Sequence, residues 1–197
     1  MNVELLDLWL PIVLSAVIAF VASFVMWMVL PIHKPDIKAL PDEGKFNGAI
    51  APLGLKPGLY MFPNCQGGEN MKSEGFQERW RAGPWGTINV LGTAPNFIRN
   101  LAINLIEMLA ISFVVAYLST MALHRGDEYM HVFRFIGASA IGCYVLGHYA
   151  GGAFMGTPLR FQITNTIDGV IYALLTAGTF AWLWPAIEGG ALPIPTP

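Results

Sequence analysis

The apolar segment at residues 100–123, NLAINLIEMLAISFVVAYLSTMAL, most constrains the fold of this chain. A helix over this segment is long enough to cross a bilayer, whose hydrocarbon core takes about 20 apolar residues. The segment nevertheless carries a carboxylate, Glu107, in its first half. An ionisable side chain at the centre of a membrane helix costs about 2.5 to 3.5 kcal/mol. We therefore expect Glu107 to face other helices rather than lipid.

Three polar residues of this segment recur at helical spacing. Asn100, Asn104 and Glu107 lie on successive turns, so their side chains project from one face of a helix. That face is predicted to point into a bundle. Two alternatives for Glu107 stay open, because its position near the helix start also lets it reach the lipid headgroups or pack, protonated, against a neighbouring hydroxyl.

The composition and three further apolar segments complete the pattern of a membrane protein. Hydrophobic residues make up 54% of the 197 residues and charged residues only 12%, whereas soluble domains carry roughly 25% charged residues. Residues 9–30, 132–155 and 167–184 are each long enough to span a bilayer. With residues 100–123 they predict an all-α membrane protein built on a four-transmembrane-helix bundle. A short polar turn is predicted at residues 157–166, between the last two spans.

The connection at residues 32–99 differs from the spans in its many Gly, Pro and basic residues. It is too long for a turn and too rich in apolar residues for a solvated linker, so a small mixed α/β cap is predicted between helices 1 and 2. Residues 58–62 and 87–91 have the composition of short strands that pair with each other. Ser73 is a suitable N-cap for one short helix that ends near Gly83.

The chain is thus predicted to contain a first spanning helix with a short N-terminal tail at residues 1–31, the cap at 32–99, three spans at 100–188 and a Pro-rich tail at 189–197. An even number of spans places both termini on one side of the membrane. The cap side carries more basic residues, and the positive-inside rule therefore favours a cytoplasmic cap and outward termini, although the two short turns alone favour the reverse.

Ionisable residues of three spans are predicted to lie at a similar depth beneath the cap. Glu107, His148 and Asp168 belong to the half of the bundle nearest the cap, and His33 follows the first span on the same side. One interpretation is a structural network that fixes helix register. The alternative is a ligand site, a proton-handling pair or a metal site, with His148, Glu107 and His33 as candidate metal ligands. Asp168 is equally consistent with an acidic residue favoured by the dipole at a helix N-terminus.

Other function classes have little in the sequence to favour them. The 11 basic residues form no run, which argues against nucleic acid as a partner. Cys65 and Cys143 are too few for a disulfide framework. No GxSxG, HExxH or CxxC motif occurs in the sequence, which argues against the enzyme classes that use them, and no cofactor is indicated.

Four segments carry a further pattern: HKPDIKALPDE at residues 33–43, PGLYMFP at 57–63, GPWG at 83–86 and DGVIYALLTAGTFAWLWP at 168–185. In combination they resemble a family of small, uncharacterised bacterial inner-membrane proteins. The resemblance implies a bacterial inner-membrane protein with four spans. It implies no activity, substrate or cofactor.

Glycines of the third span would let another helix approach closely, as in the stretches GHYAG and GAFMG. They predict close packing of this helix, either within the bundle or against a protein partner or another copy of the chain in a homo-oligomer. The favoured function is therefore an accessory or scaffold subunit, with the lipid bilayer and a protein as its partners. The alternative is a small carrier, or a metal- or proton-handling protein, that uses Glu107, His148 and Asp168.

Overall fold

The computed structural model describes residues 2–65, 69–147 and 149–187. His148 and the C-terminal tail, both used in the predictions above, lie outside the described residues. The helices and strands, in chain order, are α1 (Trp9–Phe24), α2 (Glu43–Ile50), β1 (Gly58–Phe62), α3 (Glu74–Ala82), β2 (Gly86–Val90), α4 (Phe97–Ala122), α5 (Tyr129–Ile141), α6 (Tyr149–Phe154) and α7 (Leu159–Trp182).

Three helical stretches are long and apolar enough to cross a membrane: Leu5–Val29, Phe97–Ala122 and Tyr129–Phe154. At 1.5 Å per residue each of them exceeds the hydrocarbon core of about 30 Å. Many large apolar side chains on these helices point away from the bundle, as contact with lipid tails requires. The first three predicted spans thus fall on helices with the composition of membrane spans, although each helix begins a few residues before its predicted start.

The four long helices pack as a closed bundle in which α1 and α5 each contact both α4 and α7. α7 buries more residues than any of the other three helices. It has 24 residues but is less apolar than the three candidate spans, because it contains Asp168 and four threonines. The polar residues of α7 therefore lie largely among protein atoms.

The prediction of a polar turn at residues 157–166 is wrong for most of its length, because α7 begins at Leu159. The polar side chains that suggested a turn instead form contacts within the fold. The hydroxyl of Thr164 donates a hydrogen bond to Asp36 at 2.7 Å, and the Gln162 amide donates to the Thr157 carbonyl at 3.1 Å. Their polarity reflects these contacts rather than exposure in a loop.

The cap segment contains the predicted two-stranded sheet, in which β1 and β2 pair in antiparallel fashion. The strands predicted at residues 58–62 and 87–91 are confirmed, with β2 starting one residue earlier. Ser73 caps α3 as predicted, because its Oγ accepts a hydrogen bond from the Phe76 N–H at 3.3 Å. The sequence pattern did not predict α2, which Asp42 caps in the same way.

One end of the bundle joins the described N-terminal residues, the α4–α5 turn and the end of α7. Asn2 pairs with His124, whose carbonyl also accepts a hydrogen bond from the Trp184 indole at 2.9 Å. Arg125 forms an ion pair with Asp7 at this end. The opposite end carries the segment after α1 and the start of α7. The helices therefore alternate in direction, as an up-down bundle requires.

Two π-helical turns border the interior of the bundle. Val25–Val29 follows α1, and Gly142–Leu146 follows α5. In the first, the Leu30 N–H donates at 2.9 Å to the carbonyl of Val25, five residues earlier. Single π turns are frequent at functional sites. Both of these turns contribute side chains to one cavity.

Candidate functional site

The imidazole of His33 lies between two carboxylates. Its Nδ1 is 3.0 Å from Oδ2 of Asp36, and its Nε2 is 3.0 Å from Oδ2 of Asp168. The Trp27 indole stacks parallel to the imidazole, with ring centroids 4.0 Å apart. Only 4% of His33 is exposed. These contacts fix the ring in position, with one carboxylate on each nitrogen.

Arg160 and Thr164 extend this cluster toward the surface. The Arg160 Nε lies 2.9 Å from Oδ1 of Asp36, and the guanidinium also donates to the Ile32 carbonyl at 2.9 Å. The Thr164 hydroxyl donates to Oδ2 of Asp36. The Asp36 side chain is fully shielded, whereas 54% of the Arg160 side chain is exposed. Arg160 therefore links the buried cluster to the accessible surface.

The cluster holds one proton more than a neutral imidazole supplies. Both nitrogens of His33 face carboxylate oxygens, which accept but do not donate when ionised, so each contact needs its own proton. An imidazolium between two carboxylates meets this condition, as does a neutral imidazole with the second proton on Asp168. Counted with Arg160 and Asp36, both arrangements have zero net charge. A proton can thus pass between His33 and Asp168 without charging the cluster.

The pKa of the Asp36 carboxyl is held below its ordinary value. Burial raises this pKa, but hydrogen bonds from Thr164 and His33 and the positive charges of Arg160 and His33 together lower it by more. Asp36 is therefore the carboxylate that stays ionised in the cluster. Asp168 is left as the carboxylate that shares a proton with His33.

We expect the Asp36→Asn variant to lose less stability in acid than the unchanged protein does. The pKa of Asp36 in the folded protein lies below the unfolded value of about 3.9, so its charge stabilises the fold above that pH. This contribution disappears as the pH falls through the folded pKa. Thermal unfolding in detergent from about pH 7 to about pH 3 measures it. Asp127→Asn, at the opposite end of the bundle, is the control, and matching acid profiles for all three proteins would contradict the expectation.

A cavity of about 420 Å³ lies beside the cluster. Its walls come from the two π turns, α4, α6 and α7. Trp27 and Asp168, which both contact His33, line it. Tyr172 also lines it, and its hydroxyl donates to Oδ2 of Asp168 at 3.4 Å. The cluster is therefore part of the cavity wall.

The cavity brings together three of the five residues predicted from the sequence as a polar cluster. Asn104, Glu107 and Asp168 all line it. Asn100 is exposed and is not among the described lining residues. His148, the fifth, lies outside the part of the chain that the structure describes. Within that part, the cap contributes no residue to the cavity wall.

Several polar groups at the cavity form no hydrogen bond of normal geometry with the described residues. Asp168 is only 3% exposed, yet its Oδ1 makes no hydrogen bond of normal geometry with the described residues. The buried Tyr144 hydroxyl likewise makes no hydrogen bond of normal geometry with the described residues. Glu107 is exposed and forms no hydrogen bond or ion pair with the described residues, whereas Asn104 donates to Ser23 Oγ at 3.1 Å. Unpaired buried polar atoms are costly, so Asp168 and Tyr144 mark a place suited to a ligand or water, and Glu107 adds an exposed carboxylate to the same wall.

Sequence reasoning identified Asp168 but missed Arg160, Thr164 and Tyr172, which lie on the same face of α7. Arg160, Thr164, Asp168 and Tyr172 recur at intervals of four, which places them along one face of a helix. That spacing was the signal that could have identified the face. The assignment of residues 157–166 to a turn concealed it, because two of the four residues fell outside the predicted helix.

The structure places the candidate metal ligands in different surroundings. Both nitrogens of His33 are engaged by carboxylates, which leaves neither free to bind a metal ion in this arrangement. Glu107 faces the cavity, and His148 is outside the described residues. Among the residues that the structure describes, no group of three or more His, Cys, Asp or Glu side chains is arranged to hold a metal ion.

His33, Asp36 and Asp168 lie in two of the four sequence segments quoted above, and those segments assign no activity to them. Comparison of the chain with protein-family models, with curated proteins and with solved structures gives no match.

Proposed function

We propose that this chain is a small proton-linked membrane carrier, which takes up and releases a proton at the His33–Asp168 pair. The observation that carries the proposal is the imidazole of His33 held 3.0 Å from a carboxylate oxygen on each side, with one of those carboxylates in the cavity wall. A purely structural network needs neither a cavity nor an exposed end. This cluster has both, the exposed end being Arg160.

The proposal includes α7 as a fourth spanning helix. Its 24 residues would extend about 36 Å, which is enough for the hydrocarbon core. Its lower hydropathy is compatible with a span because its polar face packs against α1 and α5 instead of lipid. A bacterial inner-membrane location with outward termini belongs to the same proposal and is supported by the sequence alone.

The charge of the cluster supports exchange rather than simple storage of a proton. Transfer between His33 and Asp168 leaves the net charge at zero, which avoids the cost of a new buried charge. Release of the proton from the cluster to solvent leaves one negative charge behind. Release is therefore favourable when a positive charge arrives in the cavity at the same time, as coupled transport requires.

Infrared titration of the detergent-purified protein tests whether the pair exchanges a proton. We expect a pH-dependent carboxyl signal of about one group per chain, which Asp168→Asn removes and His33→Gln moves to a different pH. Asp127→Asn, next to the exposed His131, is the matched control and should leave the signal unchanged. A signal that persists in Asp168→Asn would overturn the proposal.

An accessory function is a second proposal, favoured by the glycines of the third span. A Cβ added at Gly142, Gly147 or Gly151 would meet no described atom within 4 Å, so these glycines do not serve packing within the described chain. They leave a surface on which the backbone of another helix can lie closely. Co-purification of a stoichiometric protein partner would favour this function.

A further inference from the structure

The cavity wall combines aromatic rings with carboxylates. Five aromatic residues line it, namely Trp27, Tyr144, Tyr149, Phe161 and Tyr172. Glu107 and Asp168 supply the carboxylates, and none of the described lining residues is Lys, Arg or His. Aromatic faces attract cations through the ring quadrupole, and the carboxylates attract them directly. The wall is therefore suited to a cation with an apolar body.

Two acidic groups of the wall have capacity left for such a cation. Asp168 uses Oδ2 for His33 and Tyr172, while its buried Oδ1 makes no hydrogen bond of normal geometry with the described residues. Glu107 has no described partner, although it lies on a helix with the composition of a membrane span. The volume of about 420 Å³ is within the range of small-molecule pockets. Because no cluster of metal ligands is present among the described residues, an organic ion fits better than a bare metal ion.

We propose that the cavity binds a small organic cation of the ammonium type, in exchange for the proton shared by His33 and Asp168. The inference rests on the proposed function and names the ligand of the same site. The exchange balances in charge, because one positive charge enters beside Asp168 as one proton leaves His33 for solvent. The cation takes over the role of the imidazolium as the partner of Asp168.

The charged and titratable groups around the pair are compatible with this exchange. Arg160 and Asp36 form an ion pair with each other and cancel in charge. Tyr172 on α7 and Tyr144 across the cavity are uncharged as hydroxyls. Glu107 on α4 is the remaining acid of the described wall. Its charge attracts the cation without contacting His33, so its removal should weaken binding and leave the coupling to protons intact.

Calorimetric titration with benzyltrimethylammonium, on the protein in dodecyl maltoside, tests the inference. We expect release of about one proton per bound cation, measured in buffers of different ionisation enthalpy, and about tenfold tighter binding for each unit of rising pH while the pair is protonated. Benzenesulfonate and benzyl alcohol carry the same ring without positive charge and should not bind. Equal binding of either compound, or cation binding without proton release, would overturn the inference.

Two variants separate the roles of the acids. Glu107→Gln should bind the cation about tenfold more weakly with its proton release unchanged. Asp168→Asn should bind it weakly and without any dependence on pH. If Asp168→Asn fails to fold, the loss of cation affinity in Glu107→Gln still tests the site. Unaltered affinity in Glu107→Gln would contradict the assignment of the cavity.

The ammonium group has two possible sources, a free solute or a lipid headgroup. Mixed micelles containing phosphatidylethanolamine should displace the probe competitively if the source is a headgroup, with phosphatidylglycerol as the control, and should leave it bound if the source is a solute. Proton titration in the infrared without cation binding would overturn this inference and leave the proposed function standing. If the infrared proton titration and the cation binding are both absent, the proposed function and this inference are both overturned.

Discussion

The His33→Ala variant is expected to lose on the order of 3 kcal/mol of folding stability, because it removes one partner of a buried ion pair. Asp168 then keeps a side chain that is only 4% exposed, with no imidazole to neutralise it. The loss of folding stability should lie near the lower end of the range for removal of one partner of a buried ion pair, because Asp168 can take up a proton in compensation. Thermal unfolding in detergent measures the change in stability. The fraction of protein that stays monodisperse on size exclusion reports how much remains folded.

The control for this prediction is His131→Ala. His131 also lies near a carboxylate, but its side chain is 63% exposed and its Nδ1 is 3.9 Å from Asp127. Its replacement should change the stability by less than about 0.5 kcal/mol. The double variant His33→Ala/Asp168→Asn should recover part of the loss, because the amide carries no charge. A His33→Ala protein as stable as the His131→Ala protein would rule out a stabilising pair.

The Gly169→Ala variant should also be strongly destabilised, because Gly169 of α7 lies directly against the π turn after α5. A Cβ at this position would lie 2.8 Å from Cγ2 of Val145 and 2.9 Å from the carbonyl oxygen of Tyr144. The valine methyl can move, but the backbone carbonyl moves only with its helix. Overpacking of this kind costs about 1 to 3 kcal/mol. Thermal unfolding in detergent measures the cost.

Gly142→Ala is the matched control, since it adds the same methyl group in the π turn that Gly169 contacts. A Cβ at Gly142 meets no described atom within 4 Å. This variant should be as stable as the unchanged protein. In Gly169→Ala the neighbours of Asp168 also move, so the infrared signal of its carboxyl group should change along with stability. Equal stability of the two variants would show that the helices can separate at Gly169 without cost.

Local patterns in the sequence predicted those parts of the fold that depend on neighbouring residues. The strands at 58–62 and 87–91 and the cap at Ser73 follow from residue types within a few positions. The apolar stretches likewise identified three helices with the composition of membrane spans. Residues 157–166 were misassigned because a polar side chain has the same signature in a turn and on the buried polar face of a helix.

The candidate site could be predicted only in part, because its contacts join distant parts of the chain. Glu107, Asn104 and Asp168 were recognisable as polar residues in apolar surroundings, and the structure places all three at one cavity. The contact between His33 and Asp168 spans 135 positions and depends on how α7 is rotated against α1. Periodicity gives the face of a helix but not the helix that the face meets. The pairing of His33 therefore required the folded bundle.

The two π turns make the cavity sensitive to the number of residues in its walls. Val25–Val29 contains Trp27, and Gly142–Leu146 contains Tyr144, both on the wall. Deletion of one residue from either turn would allow ordinary α-helical bonding and rotate the residues after the deletion by about 100° relative to the helix before it. The aromatic side chain would then leave the wall although its identity was unchanged. In these two segments chain length matters as much as side-chain type for the shape of the cavity.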